Sequence, residues 1–198
     1  MSLYSPKIRN KIAKVLKAGT IDEPDAFATE ASFICGSFVS LSLKIDREDG
    51  EIVDAKYRTN GCGFMVAACE VVSEYLVSRH VPELHGDRPD ELLKHLTVEL
   101  GAFPNGRSHC SAVVVDALRS ALSQYRKSLI DEYRGERALV CTCFGIDEDT
   151  IENCIRDNGL TEVAEVIDHC RAGSGCGSCQ PIIQELIDAH RSSGPNNA

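Results

Sequence analysis

Four of the chain's ten cysteines fall into two close pairs, Cys141-Thr142-Cys143 and Cys176-Gly177-Ser178-Cys179, with 32 residues between them. A C-x-C and a C-x-x-C each put two sulfurs on one side of a centre, and four thiolates suit tetrahedral zinc and a 2Fe-2S cluster alike. Ala172-Gly173-Ser174-Gly175 leads into the second pair. Glycines let backbone N–H groups turn toward negative sulfurs without a side chain in the way, and a helix starting at Cys179 adds positive potential. From spacing alone zinc stands slightly ahead, and both metals are open. Burial of these cysteines as small hydrophobes is the weaker alternative, because close pairs flanked by glycine are poor core elements. Cys154 and Cys170 lie within expected helices, and for them the core reading is favoured.

The surroundings sharpen what the cysteines are for. Met1 to Gly19 has no signal-peptide apolar centre, and no run approaches the roughly 18 to 20 apolar residues of a membrane span. A cytoplasmic location is therefore expected, where thiols bind metal or do sulfur chemistry rather than form structural disulfides. Acidic residues outnumber basic ones by 30 to 21, for a net charge of -9. Neither nucleic acid nor a membrane is an expected partner.

Along the chain, a basic amphipathic helix is followed by an acidic, irregular stretch from Thr20 to Glu30. Val39, Leu41, Leu43 and Ile45 then alternate with polar residues as a strand, Asp49-Gly50 signals a hairpin, and Val53, Ala55 and Tyr57 mark the returning strand. Helices are expected from Met65 to Arg79, from about Asp87 to Leu96, and from about Ser108 through Leu129. The charged stretch Asp131 to Arg137 is a candidate linker, and beyond it come three short helices. The expected organisation is an α+β domain at 1–134, with a small antiparallel sheet and helices, then a small all-α domain at 138–191 and a disordered tail at 192–198.

Cys35, Cys62 and Cys110 are weak signals singly but avoid element interiors together. Cys35 precedes the first strand beside Gly36, Cys62 lies between two glycines before a helix, and Cys110 follows His109 at a helix start. A helix N-terminus lowers a thiol's pKa, so Cys62 and Cys110 are placed for metal binding or sulfur transfer. Cys69, two turns beyond Cys62 among Val66, Val72 and Leu76, reads as core. His80, His85, His95, His169 and His190 show no ligand spacing, and solvated or locally bonded roles are expected for them.

Residues Ala138 to Ile187, from Ala-Leu-Val-Cys-Thr-Cys-Phe-Gly-Ile-Asp-Glu to Ala-Gly-Ser-Gly-Cys-Gly-Ser-Cys-Gln-Pro, resemble the ferredoxin-like domain of NifU-type scaffold proteins, related to bacterioferritin-associated ferredoxin. The resemblance implies a permanent 2Fe-2S cluster on Cys141, Cys143, Cys176 and Cys179 in an all-helical domain; that this cluster moves single electrons is an inference beyond the resemblance. Tyr4 to about Tyr125 resembles the U-type iron-sulfur assembly scaffold through Cys35-Gly36, Tyr57-Arg58-Thr59-Asn60-Gly61-Cys62-Gly63 and His109-Cys110-Ser111. There the resemblance implies that Cys35, Cys62 and Cys110, with His109 as a fourth donor, build a transient cluster from iron and from sulfur supplied by a cysteine desulfurase. The cluster is then passed to apo iron-sulfur acceptor proteins. The electron donor is not specified, and homodimerisation is left open.

The chain departs from the family pattern at several points. Ser37 stands where family members usually carry Asp, and serine is the weaker metal ligand. Ala102 to Arg107 replaces the chaperone-recruiting Leu-Pro-Pro-Val-Lys segment, and the Asn-Pro pair expected around Lys17 to Gly19 is absent. The third domain of full-length NifU proteins is not expected, since the chain ends soon after His190. No nucleotide loop or hydrolytic triad is found, so a conventional enzyme is not expected. The alternative from Ser37 is a 2Fe-2S redox carrier or sensor whose N-terminal domain does not assemble clusters; a third reading has zinc on its three cysteines and His109, the thiolates taking sulfur from a desulfurase as a persulfide.

Overall fold

The computed structural model describes residues 3–84, 88–132 and 138–193, and these divide into two compact units, 1–125 and 126–198. In the first unit, α1 (Pro6–Ala13) begins where the Ser5 hydroxyl accepts a hydrogen bond from the Ile8 N–H at 3.3 Å, with Pro6 at the first helical position. Ile8 is its buried residue. Three antiparallel strands follow in the order β1 (Ala26–Ala31), β2 (Phe38–Ile45) and β3 (Ile52–Thr59). Leu41 opposes Ala28 on one side and Tyr57 on the other, so the register turns Val39, Leu41, Leu43, Ala55 and Tyr57 toward the core.

β1 was not expected: the acidic stretch read as irregular contains an edge strand. Its inward residues are Ala26, Ala28 and the charged Glu30, and Ala26 alone is fully buried while Phe27 points outward. Hydrophobic periodicity is weak when the inward residues are methyl-sized or charged.

The central element is α2 (Gly63–Leu76), with Phe64, Met65, Ala67, Ala68, Cys69, Val71, Val72 and Leu76 all buried. It packs on α1, β3 and α3 (Arg88–Leu100). Glu70 is fully buried in this helix, an arrangement tolerable only when every lone pair finds a donor. Its carboxylate accepts from the Leu16 N–H (2.6 Å), the Lys17 N–H (2.9 Å) and the Tyr57 hydroxyl (2.9 Å), tying the segment after α1 to the sheet. A short 3-10 turn, Val81–Leu84, precedes α3, and α4 (His109–Glu132) supplies Val114, Val115, Leu118 and Leu122 to buried positions. The division between the units falls within α4. His85 and residues 133–137 of the expected linker lie outside the described residues; Asp131 and Glu132 are helical.

The second unit corrects the all-α expectation. It opens with a small antiparallel hairpin, β4 (Leu139–Cys141) and β5 (Ile146–Asp147), around a turn that contains Cys143 and Gly145 at φ 67°. Placing Cys141 and Cys143 in one tight reversal needs extended backbone on either side, and the hairpin provides it. α5 (Glu148–Asn158) is capped by the Asp147 carboxylate, which accepts from the Thr150 N–H at 2.8 Å, and ends at Gly159 in the left-handed region. α6 (Val163–Cys170) starts with a Glu162–Glu165 capping box. α7 (Gln180–Ser193) follows, and 194–198 of the expected tail lie outside the described residues. Ile151, Ile155, Val166, Ile183 and Ile187 form the core, with Cys141, Cys143 and Cys179 at one side.

Candidate metal centres

The first unit brings together all four of its expected donors. Cys35 sits at the tip of the β1–β2 connection, where Ser32 N–H donates to the Ser37 carbonyl, Gly36 N–H donates to the Ser32 carbonyl, both at 2.8 Å, and Gly36 takes φ 70°. Cys62 is the N-cap residue of α2. A Cβ on Gly61 would meet the Met65 side chain at 2.4 Å, and one on Gly63 would meet the Tyr4 ring at 2.8 Å, so both positions admit only glycine at this closeness. Tyr4 also accepts the Gly63 N–H at its hydroxyl, 3.2 Å away. His109 and Cys110 open α4 and are both buried.

These elements place the Cys62 and Cys110 sulfurs 4.0 Å apart, with His109 Nε2 3.6 Å from the Cys110 sulfur and hydrogen-bonded also to Cys35. The Arg107 guanidinium lies 3.9 Å from the Cys62 sulfur, a cation that sequence reasoning did not single out. Cys35 is exposed, as are its neighbours Phe33 and Ile34, and an apolar groove lined by Ile34, Leu96, Phe103, His109 and Ala112 runs beside it.

At Cys110 the thiol electrostatics reverse the expectation from helix termini. The Ser37 hydroxyl and N–H, then the Ser32 hydroxyl and His109, bond to Cys35 and hold its pKa down at about 6. Burial, reinforced by the neighbouring Cys62 sulfur, pushes Cys110 up to about 12 despite its helix start and Arg107. Desolvation outweighs the helix-terminus effect at a fully buried sulfur. Cys69 is buried in α2 and is likewise pushed up by desolvation, as a core thiol.

The second unit gathers its four thiols from two turns. Cys141 and Cys143 come from the β4–β5 hairpin, Cys176 and Cys179 from the glycine-rich turn before α7. The Cys143 thiol donates to the Cys176 sulfur at 3.6 Å, and Cys141 interacts with both Cys143 and Cys179. Backbone N–H groups converge on the sulfurs: those of Gly173 and Phe144 on Cys141, of Cys176 on Cys143 and of Ser178 on Cys176. The Cys143 hydrogen bond leads the effects that hold Cys141 down at about 5, and burial pushes Cys179 up to about 11. Cys143, hydrogen-bonded to Cys141 and desolvated, is pushed up. Four sulfurs sharing protons, each approached by N–H donors, are a donor set suited to a negatively charged thiolate-ligated group such as a 2Fe-2S cluster.

The histidine expectations divide. His95 stacks on Tyr75 with centroids 4.7 Å apart, and His169 Nδ1 lies 2.9 Å from the Glu165 carbonyl, both local roles. The fold brings His80, however, together with Asp49 and Glu51, their ligand atoms within 4.8 Å of one another. That carboxylate–imidazole set is invisible to spacing because the β2–β3 turn and the end of α2 meet only in three dimensions.

An α+β unit that gathers three thiols and an imidazole, and a second unit that gathers four thiols under backbone N–H groups, define a metal-thiolate protein. Residues 3–131 match the NifU-like N terminal domain model, and the chain belongs to that family. Residues 139–189 match the BFD-like 2Fe-2S binding domain. The chain is 30% identical over 188 residues to the nitrogen fixation protein NifU of Azospirillum brasilense, covering 94% of this chain and 59% of that one. It is 33% identical over 162 residues to the NifU of a Nostoc species, covering 79% and 51% respectively, so the chain spans about half the length of these relatives. The crystal structure of the N-terminal part of a NifU-like protein from Brucella abortus shares the fold, with a TM-score of 0.50 at 23% identity over 63% of this chain and 95% of that one. No helix among the described residues is long and apolar enough to cross a membrane.

Proposed function

We propose that the protein is an iron-sulfur assembly scaffold: Cys35, Cys62 and Cys110, assisted by His109, build a transient cluster, while Cys141, Cys143, Cys176 and Cys179 hold a permanent 2Fe-2S cluster. The observation that carries this reading is the difference in burial between the two sets: the first holds one exposed, one half-buried and one buried thiol, the second three buried thiols and exposed Cys176. Cys35 is exposed at a loop tip and ionised near pH 7, as a group must be to take sulfur from a cysteine desulfurase and to release cargo to an apo acceptor. Cys141, Cys143 and Cys179 are buried against the isoleucine core, as suits retention.

The roles in assembly follow from each sulfur's setting. Cys35 meets the incoming sulfur, Cys62 and Cys110 hold iron from the buried side, and Arg107 offsets the charge that gathers as Cys110 gives up its proton. His109 bridges the exposed and buried thiols and donates or accepts that proton. Exposed Phe33 and Ile34 give partner proteins an apolar hold next to the reactive sulfur. When bound, the permanent cluster supplies single electrons; the chain's part is to aim N–H groups at its thiolates and so set how readily it is reduced. The protein works by carrying and transferring clusters rather than by turning over a small molecule as an enzyme.

A second reading is favoured by Ser37 and by the proximity of His109 to Cys110: three thiols and one imidazole satisfy tetrahedral zinc, leaving a redox carrier or sensor with a non-assembling N-terminal unit. Anaerobic incubation with ferrous iron, cysteine, a desulfurase and dithiothreitol to reduce the transferred sulfur to sulfide, followed by transfer to an apo-ferredoxin, separates the two. The scaffold reading expects new absorbance and transfer, both lost in Cys35→Ser, Cys62→Ser and Cys110→Ser. Absence of both in the wild type, with about one zinc per chain retained, would support the second reading.

A further inference from the structure

In the second unit two cysteines stand outside the four-thiol set. Cys154 lies on α5 and Cys170 closes α6, both half-buried against the core of the second unit. Cys154 stands three residues after buried Ile151, and Cys170 four residues after buried Val166, so helical geometry turns both thiols to the α5–α6 contact. There the two side chains interact with each other, and their partial exposure leaves them within reach of a small molecule.

We propose that Cys154 and Cys170 form a redox-active dithiol, which closes to an intramolecular disulfide by exchange with a low-molecular-weight disulfide of the glutathione class. One protein thiolate attacks the small disulfide and expels one small thiolate, leaving a mixed disulfide. The second protein thiol loses its proton and attacks that mixed disulfide at the protein sulfur, expelling the second small thiolate. Two protein thiols are oxidised to one disulfide, and one small disulfide is reduced to two thiols.

Burial and the adjacent Cys170 push the Cys154 thiol up to about 11, so exchange at Cys154 quickens as pH rises. The pair is also placed to matter to its neighbours. Cys170 is followed by Arg171 in the left-handed region, then Ala172 and Gly173, whose N–H points at the Cys141 sulfur. The proposal does not depend on what the four-thiol set holds.

The test uses the full chain, purified anaerobically and incubated with oxidised glutathione, then alkylated and digested with trypsin. Cleavage after Arg156 and Arg171 puts Cys154 and Cys170 on separate peptides, and fragmentation locates the bond. The expected product is a Cys154–Cys170 crosslink that is absent in Cys154→Ser and Cys170→Ser and reversed by dithiothreitol, with each single variant instead carrying glutathione on the remaining cysteine. Recovery of both cysteines alkylated, of separate glutathione adducts in the wild type, or of Cys170 linked to Cys141 or Cys143 would overturn the proposal.

Discussion

Ser37 presents both its hydroxyl and its backbone N–H to the sulfur of Cys35, two residues away across the Gly36 turn. Serine at this position therefore acts through the thiolate it stabilises. In metal-free protein, alkylation of Cys35 by iodoacetamide should rise with pH through about 6 and then level off. Ser37→Ala should move that midpoint upward by roughly a unit, and Ser37→Asp further, because a like charge opposes ionisation. A wild-type midpoint in the ordinary thiol range would remove Cys35 from its role as the receiving sulfur.

Cys110 should behave in the opposite way. Held protonated up to about pH 12, it must release a proton whenever iron or zinc binds near neutrality, whereas Cys35 is already ionised. Calorimetry of metal binding at pH 8 in buffers of different ionisation enthalpy should show about one fewer proton released in Cys110→Ser and no such change in Cys35→Ser. Equal proton release in both variants would contradict this division.

Glu70 predicts a stability effect unrelated to metal. Glu70→Ala leaves the Leu16 and Lys17 N–H groups and the Tyr57 hydroxyl without their acceptor and should cost about 3 kcal/mol, read by urea unfolding of the first unit followed by circular dichroism. A loss below about 1 kcal/mol would show that water replaces the carboxylate.

The sequence made the α+β unit readable because β2 and β3 alternate cleanly and an Asp-Gly turn joins them. It hid β1, whose inward residues are Ala26, Ala28 and the charged Glu30. It hid the β4–β5 hairpin as well, because the strands are only 3 and 2 residues long, too short to show a period. The seven cysteines that the fold gathers into two sets were legible, since glycine neighbours and element boundaries mark them. Their ionisation was not, because Cys35 depends on Ser32, Ser37 and His109 in the folded loop, and Cys110 on burial depth. Glu70 and the Asp49–Glu51–His80 group were illegible for the same reason: their partners are distant in the chain.

Gly173 links backbone shape to the second centre. It takes φ 92°, and a Cβ there would stand 3.2 Å from Gln180, Ile167 and Ile183 while its N–H serves Cys141. Gly173→Ala should destabilise this unit by about 1–2 kcal/mol. It should also shift the visible spectrum or reduction potential of whatever the four thiols hold. A variant with wild-type stability and spectrum would show that this N–H does not bear on the site.

The most direct test is metal and sulfide content, with EPR after dithionite reduction, on anaerobically purified wild type and on the Cys141→Ser, Cys176→Ser double variant. The account predicts a red-brown protein with about two irons and two sulfides per chain and a reduced 2Fe-2S signal that the double variant lacks. A colourless wild type that contains zinc and no sulfide would contradict it.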